Sequence, residues 1–419
     1  MNITVYPAHL KGKLTVPASK SLSHRALIAA GLAKGQSTLK NLLDSEDIEA
    51  TKAALKAFNV RFDKNRVFGG DLKIITDTID AKESGSTLRF MIPIALLFEK
   101  AIIFNGQKRL ITRPLDVYEN IFSNQVTYQP LSENSLPLKV KGPLKGGTFK
   151  VDGHISSQFI SGLLFALPLL DEDSEIVLNT PLQSKDYVSL TLDILKQFGI
   201  KIVAQETRFF IPKKQQYQPK NMIIEGDFSQ AAFFIAAGLI NGDITLKNLN
   251  PRSLQGDRRM VDIVKAMGGD VAYDQKEAQY RIHSSKTKAQ SIDLKDMPDL
   301  GPILMILAGL SEGITTFTST DRLVYKESDR LGVMISILNK LGVKTKQEQD
   351  RLMVQGIAKF NGNLSFESYD DHRIVMALSI AALKASGPIH INGAQAVNKS
   401  YPRFFDDYKN LGGNFITKP

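Results

Sequence analysis

Cationic and hydroxyl side chains at the starts of apolar segments are the residues of this chain with the plainest chemical meaning. Lys20, Ser21 and Arg25 open one such segment, Ser156, Ser157 and Gln158 a second, and His372 and Arg373 a third. Arg113, Lys326, Arg330 and Lys399 stand on connections. If the apolar segments are helices, their first N–H groups and positive dipole ends attract anions. Cations and hydroxyls gathered at one end of such helices suit a pocket for phosphates and carboxylates between two domains. Taken singly, each of these charges reads as a solvated helix-end residue. Asp299, after Pro298, reads by itself as a helix cap, and Lys326–Glu327 as a surface pair.

Missing residue types narrow the chemistry further. Cysteine is absent, which excludes disulfides, thiolate metal sites and cysteine nucleophiles. No two glycines are separated by one residue, so the dinucleotide-binding fingerprint cannot occur, and the phosphate-loop pattern is also missing. His9, His24, His154, His283, His372 and His390 form no H-E-x-x-H and no close pair. No metal and no cofactor is expected.

The elements that must position these residues follow from length and repetition. At 419 residues, with 43% hydrophobic and 23% charged residues, the chain is expected to fold throughout, as two domains rather than one. Its net charge of +10 favours anionic partners, and the basic residues form no block typical of a tail. The apolar run Phe159 to Leu170 is broken by Ser161, Gly162 and Pro168 and falls short of the roughly 18 residues of a membrane span. The first residues alternate like a strand and lack an apolar signal region, so a cytoplasmic location is expected.

SLSHRALIAAGLAKGQSTLKNLL, from Ser21, aligns with FSQAAFFIAAGLINGDITLKNLN, from Phe228, sharing I-A-A-G-L-x-x-G-x-x-T-L-K-N-L. Such identity at 207 residues' separation points to an internal duplication. Weaker copies begin at Ser84, Ser156, Pro298 and Asp371, each a cap, an apolar helix, a turn and a strand. A helix with apolar positions three and four apart follows each copy, ended by Gly or Asn. The chain therefore reads as six α/β units, three to a domain. The sixth stops after its strand NFI, leaving an edge to be covered. Residues 1–19, with ITVYP and GKLTVP, are expected to supply the missing strands. The expected domains are 20–226, and 1–19 with 227–419, with hinges near Ala18–Ser19 and Gly226–Asp227.

The motifs P-A-S-K-S-L-S-H-R at Pro17–Arg25, S-G-S-T-L-R at Ser84–Arg89 and S-S-Q at Ser156–Gln158 recur in a known order with three others. Those are Q-G-D at Gln255–Asp257, V-Y-K-E-S-D-R-L at Val324–Leu331 and D-D-H-R at Asp370–Arg373. Together they resemble the 5-enolpyruvylshikimate-3-phosphate synthase family over nearly the whole chain. The resemblance implies the enolpyruvyl transferase fold, a two-domain inverse α/β barrel with three α/β repeats per domain and the active site in the cleft between them. It implies transfer of the enolpyruvyl group of phosphoenolpyruvate to the 5-hydroxyl of shikimate 3-phosphate, with release of phosphate, on the route to chorismate and the aromatic amino acids. By the same resemblance Lys20, Gly85, Arg113, Gln158, Arg330, Arg373 and Lys399 hold phosphoenolpyruvate. Lys20, Ser21, Arg25, Ser156, Ser157, Gln158, Ser184, Asp299 and Lys326 hold shikimate 3-phosphate. Asp299 matches the proton acceptor, Glu327 the carboxyl that exchanges a proton with the substrate carbon, and Lys20 a further donor or electrostatic stabiliser. The expected partners are these small anions, with no nucleic acid or membrane, and the chain is expected to be a monomer.

Three positions depart from the family pattern: Glu83 where many members have Asn, Ser84 where many have Ala, and Arg322 where some have Asn. The first two bear on glyphosate, the family's phosphoenolpyruvate-competitive inhibitor. UDP-N-acetylglucosamine enolpyruvyl transferases share the fold but typically use a loop cysteine, which this chain lacks. A nucleic-acid-binding protein on related α/β repeats would carry aromatic-rich basic motifs, and none is present. An inactive relative would have lost charged site positions, and all of them stand.

Overall fold

The computed structural model describes residues 1–122 and 125–418. The chain divides into two compact units, one of Lys20–Ile224 and one of Met1–Ser19 with Glu225–Pro419. The division falls after Ile224 rather than after Gly226, the boundary read from the sequence. Glu225 and Gly226 are tied by backbone to the second unit: the Glu225 carbonyl accepts from Ser19 N–H at 2.8 Å, and Gly226 N–H donates to the Asn248 carbonyl at 2.8 Å.

Twelve α-helices are present among the described residues. In Lys20–Ile224 they are α1 (Lys20–Leu32), α2 (Glu46–Lys56), α3 (Gly85–Ala95), α4 (Asp116–Phe122), α5 (Ser157–Ala166) and α6 (Lys185–Gln197). In the second unit they are α7 (Phe228–Asn241), α8 (Arg259–Ala266), α9 (Gly301–Ala308), α10 (Arg330–Lys340), α11 (His372–Ala381) and α12 (Phe404–Asn410). The odd-numbered helices are the apolar ones. FSQAAFFIAAGLIN has almost no polar face, so α7 is stable only when enclosed on every side, and it is buried from Phe228 to Ile240. The even-numbered helices are amphipathic and leave one face to water, as α6 shows by burying Val188, Leu190, Thr191, Ile194 and Leu195. Asn124, the residue expected to end α4, lies outside the described residues.

Among the described residues, six four-stranded sheets share one pattern: two parallel strands, then an antiparallel pair. In the sixth the antiparallel pair joins the two ends of the chain. Asn2–Tyr6 lies antiparallel to both Ile389–Asn392 and Asn414–Lys418, pairing Val5 with Ile389 and with Phe415. Leu10–Thr15 lies parallel to Gly242–Lys247 in the fourth sheet. Alternation along Asn2–Tyr6 directs Ile3 and Val5 into the core beside Ile389 and Ile391.

One packing detail shapes the first unit. Pro93 sits inside α3 and has no N–H for the carbonyl of Arg89, four residues earlier. The Tyr118 hydroxyl donates to that carbonyl at 2.6 Å, so the buried oxygen is satisfied from another helix. The contact requires a glycine at 162 on α5, where a Cβ would stand 2.2 Å from Tyr118 Oη and 2.3 Å from the Arg89 oxygen.

Candidate active site

Helix starts differ in chemistry between the two units. In the first, α1 begins at Lys20, Ser84 caps α3 by accepting from Thr87 N–H, and Ser156 caps α5 by accepting from Gln158 N–H. In the second, carboxylates do the capping: Asp227 accepts from Ser229 and Gln230 N–H at the start of α7, and Asp371 from Arg373 N–H at the start of α11. Hydroxyl caps leave the dipole charge available to an anion, whereas carboxylate caps neutralise it. The second unit therefore needs arginine and lysine side chains to present positive charge.

Within Lys20–Ile224, Lys20 Nζ lies 2.9 Å from Asp47 Oδ2, with both side chains mostly enclosed. Arg25 is buried; its Nε donates to Thr191 Oγ1 at 2.8 Å, and its Nη atoms to the Ser21 and Tyr187 carbonyls at 2.9 and 3.0 Å. Burial lowers its pKa to about 10, with Tyr187 opposing the shift. Gly85, first residue of α3, faces two guanidiniums: a Cβ there would be 2.7 Å from Arg113 Nη1 and 3.0 Å from Arg89 Nη1. Gln158 Nε2 donates to Ser86 Oγ at 2.9 Å, and its Oε1 accepts from Arg89 Nη1 at 2.8 Å. Ser157 is buried, as is Ser184, which precedes α6 with φ 53° and ψ 41°. At the departures from pattern, Glu83 pairs with Lys108 at 3.0 Å, and the Ser84 hydroxyl accepts from Thr87 Oγ1 at 2.8 Å.

Within the second unit the cluster is tighter. Asp299, in the 3-10 turn Pro298–Leu300 before α9, accepts from Arg330 Nη1 at 2.9 Å and Arg373 Nη2 at 3.0 Å, with Lys326 Nζ at 3.4 Å. Arg330 is fully buried and also donates from Nη2 to Glu327 at 2.6 Å and from Nε to Asp371 at 2.8 Å. Burial alone would lower the Arg330 pKa, but Asp371, Glu327 and Asp299 carry it well above the usual value. Asp371, which burial would push up, is instead held below the ordinary carboxylate range by Arg330. Lys326 is held below the usual lysine value by loss of water, which Asp299 opposes and Arg322 and Arg330 reinforce. Lys399 donates to the Asp370 carbonyl. Arg322 is buried and reaches the Lys295 carbonyl at 3.5 Å.

The structure thus brings Asp299, Lys326, Glu327, Arg330 and Arg373 into one network, and sets Gly85 and Arg113 in close approach. Four charged residues assigned no role from the sequence, Asp47, Arg89, Asp257 and Asp371, pair with or lie near assigned ones. Asp371 carried a signal, since an aspartate before an apolar helix is a preferred cap. Arg89 and Asp257 stood in the motifs S-G-S-T-L-R and Q-G-D without a role of their own, and Asp47 carried no signal, because its partner Lys20 lies 27 residues away. Asp257, in the turn Gly256–Arg258, is buried and has a pKa raised to about 7 by burial and by Asp299 and Asp227, against Arg373.

The family model for EPSP synthase (3-phosphoshikimate 1-carboxyvinyltransferase) matches residues 5–408. A 3-phosphoshikimate 1-carboxyvinyltransferase of Clostridium novyi (strain NT) is 43% identical over 427 residues, covering 98% of each chain. One of Clostridium acetobutylicum is 45% identical over 422 residues, covering 98% of this chain and 97% of its own. Among solved structures, an EPSP synthase from Acinetobacter baumannii superposes with a TM-score of 0.83 at 26% identity, over 99% of this chain and 100% of that one. The enolpyruvyl transferase NikO from Streptomyces tendae gives 0.77 at 15% identity, over 100% and 99%, a likeness of fold alone.

Proposed function

The chain belongs to the EPSP synthase family, and on that premise we propose a role for each of its two charged clusters. It has the enolpyruvyl transferase fold and is a 3-phosphoshikimate 1-carboxyvinyltransferase of the shikimate pathway. It transfers the enolpyruvyl group of phosphoenolpyruvate to the 5-hydroxyl of shikimate 3-phosphate and releases phosphate.

The observation that carries the assignment of roles is the convergence of Arg330, Arg373 and Lys326 on Asp299. Three cations favour the ionised carboxylate, the form needed to accept the proton of the attacking hydroxyl. Arg330 and Arg373, with Lys399, Lys20, Gly85, Arg113 and Gln158, hold phosphoenolpyruvate through forked and charge-assisted bonds. The hydroxyl-lined helix starts at Ser21, Ser156 and Ser157, with Arg25, Ser184, Gln158, Lys20 and Lys326, hold shikimate 3-phosphate.

Glu327 is the acid in this reading. Its carboxylate is paired with Arg330 Nη2. An anionic ligand that takes that N–H releases the Glu327 carboxyl and adds negative charge beside it, both of which raise its affinity for a proton. Addition then forms the bond from the 5-oxygen to C2 while the methylene carbon gains a proton. Elimination returns that proton and breaks the C–O bond to phosphate. Lys20 stabilises charge at the reacting centre, from its place beside Asp47. We further propose a cytoplasmic monomer. Among the described residues no helix is long and apolar enough to cross a membrane.

The test is phosphate release from phosphoenolpyruvate with shikimate 3-phosphate, beside UDP-N-acetylglucosamine, for the protein and for Asp299→Asn. Turnover with shikimate 3-phosphate that falls about 10²- to 10⁴-fold in the folded variant supports the base. An undiminished rate removes Asp299 from that role.

A further inference from the structure

Arg89 links three positions assigned to phosphoenolpyruvate, though it holds no assigned role itself. Its backbone is anchored because Pro93 leaves its carbonyl to Tyr118. Its side chain is 3% exposed and lies over the Phe159 ring, 5.0 Å from the centroid. Nη2 donates to the Pro114 carbonyl at 3.3 Å, next to Arg113, and Nη1 donates to Gln158 Oε1 at 2.8 Å. Nη1 also lies 3.0 Å from the Cβ position at Gly85.

A guanidinium carries five N–H donors and no acceptor. The atom of Gln158 that faces Arg89 must therefore be the amide oxygen, and the NH2 group must point the other way. One of its hydrogens goes to Ser86 Oγ at 2.9 Å, which leaves the second to donate to an anion. Without Arg89 the amide could rotate and present its oxygen, which repels a carboxylate or phosphate. We propose that Arg89 is a positioning residue that sets the donor polarity of Gln158 toward phosphoenolpyruvate, an inference that rests on the assignment of Gln158 to that ligand.

The experiment is a double-mutant cycle in the full-length protein with Arg89→Met, Gln158→Met and both together, reading KM for each substrate and kcat. Arg89→Met is expected to raise the phosphoenolpyruvate KM about tenfold or more, and to change the shikimate 3-phosphate KM in the same direction as Gln158→Met does, since Gln158 is assigned to both ligands. The double variant should be no worse than Gln158→Met alone, because residues acting through one another are not additive. Additive losses, or a pattern of KM changes over the two substrates unlike that of Gln158→Met, would overturn the proposal. If Gln158→Met leaves the phosphoenolpyruvate KM unchanged, the assignment of Gln158 falls and the proposal with it. If Gln158→Met raises it and Arg89→Met does not, the proposal alone falls.

Should Arg89→Met not fold, Gln158→Glu decides the matter by thermal unfolding. A carboxylate facing Arg89 gains a charge-assisted pair, so the melting temperature should hold or rise while the phosphoenolpyruvate KM climbs. A melting temperature several degrees lower would show that Arg89 does not face the side chain at 158.

Discussion

The Tyr118 hydroxyl completes a helix from outside it, donating at 2.6 Å to the Arg89 carbonyl that Pro93 cannot serve. It also reaches the Phe159 carbonyl at 3.2 Å, so one buried hydroxyl joins α3, α4 and α5. Tyr118→Phe keeps the ring and strands the Arg89 oxygen. An unpaired buried acceptor costs about 1–3 kcal/mol, a loss that urea unfolding would resolve. A change below about 0.5 kcal/mol would mean that the carbonyl finds another donor.

Asp371 and Arg330 form a forked pair with neither side chain exposed: Nε to Oδ2 at 2.8 Å and Nη2 to Oδ1 at 3.2 Å. Asp371→Asn leaves a buried guanidinium short of charge and weakens the cap of α11. Loss of one partner of such a pair costs about 3–5 kcal/mol. The exposed pair of Arg66 and Asp63 is the control, and Asp63→Asn should cost under about 1 kcal/mol. Equal effects of the two variants on the urea midpoint would contradict the enclosure of Arg330.

Gly85→Ala tests the close approach to Arg113. The added carbon would meet Arg113 Nη1 at 2.7 Å, closer than carbon and nitrogen tolerate, but that atom ends a flexible side chain and can withdraw. Folding should survive, while the displaced guanidinium raises the phosphoenolpyruvate KM by about tenfold, since misplacing a binding group by an ångström is costly. An unchanged KM would place Arg113 outside the phosphoenolpyruvate contacts.

Asp257 gives a pH dependence whose sign is defined. Its pKa is raised to about 7, above the roughly 3.9 of an unfolded aspartate. The native state therefore holds a proton that the unfolded chain releases over that interval. Its contribution to stability is full below about pH 4 and is lost as pH rises through about 7. Asp257→Asn cannot ionise, so relative to the parent protein it should gain stability between pH 5 and pH 8. Urea unfolding at both values checks this, and an equal difference at the two would count against it.

What local chemistry could express was legible in the residues themselves. The shared I-A-A-G-L core and its four weaker copies identified six α/β units, because a two-residue strand period, a helical period and a cap are properties of neighbouring residues. The N-terminal strands Asn2–Tyr6 and Leu10–Thr15 could be placed in the second unit by a count of missing strands. The division after Ile224 could not, because it depends on which distant carbonyl each N–H of the crossing finds. The cations at Lys20, Arg113 and Arg330 pointed to anions.

Their pairing was decided only by tertiary structure. Arg330 reaches Asp299 and Asp371 across 31 and 41 residues of chain, and Arg89 reaches Gln158 across 69. A guanidinium's partners are whatever carboxylates and carbonyls the packing of separate helices brings within 3 Å, and nothing local encodes that distance. The same holds for the raised pKa of Asp257, which rests on burial and on Asp299 and Asp227, residues that no sequence window contains together. Sequence alone therefore determined the units and the kinds of charge they carry. The fold decided which charges neutralise each other, because electrostatic energy depends on separation in space and on exclusion of water rather than on order along the chain.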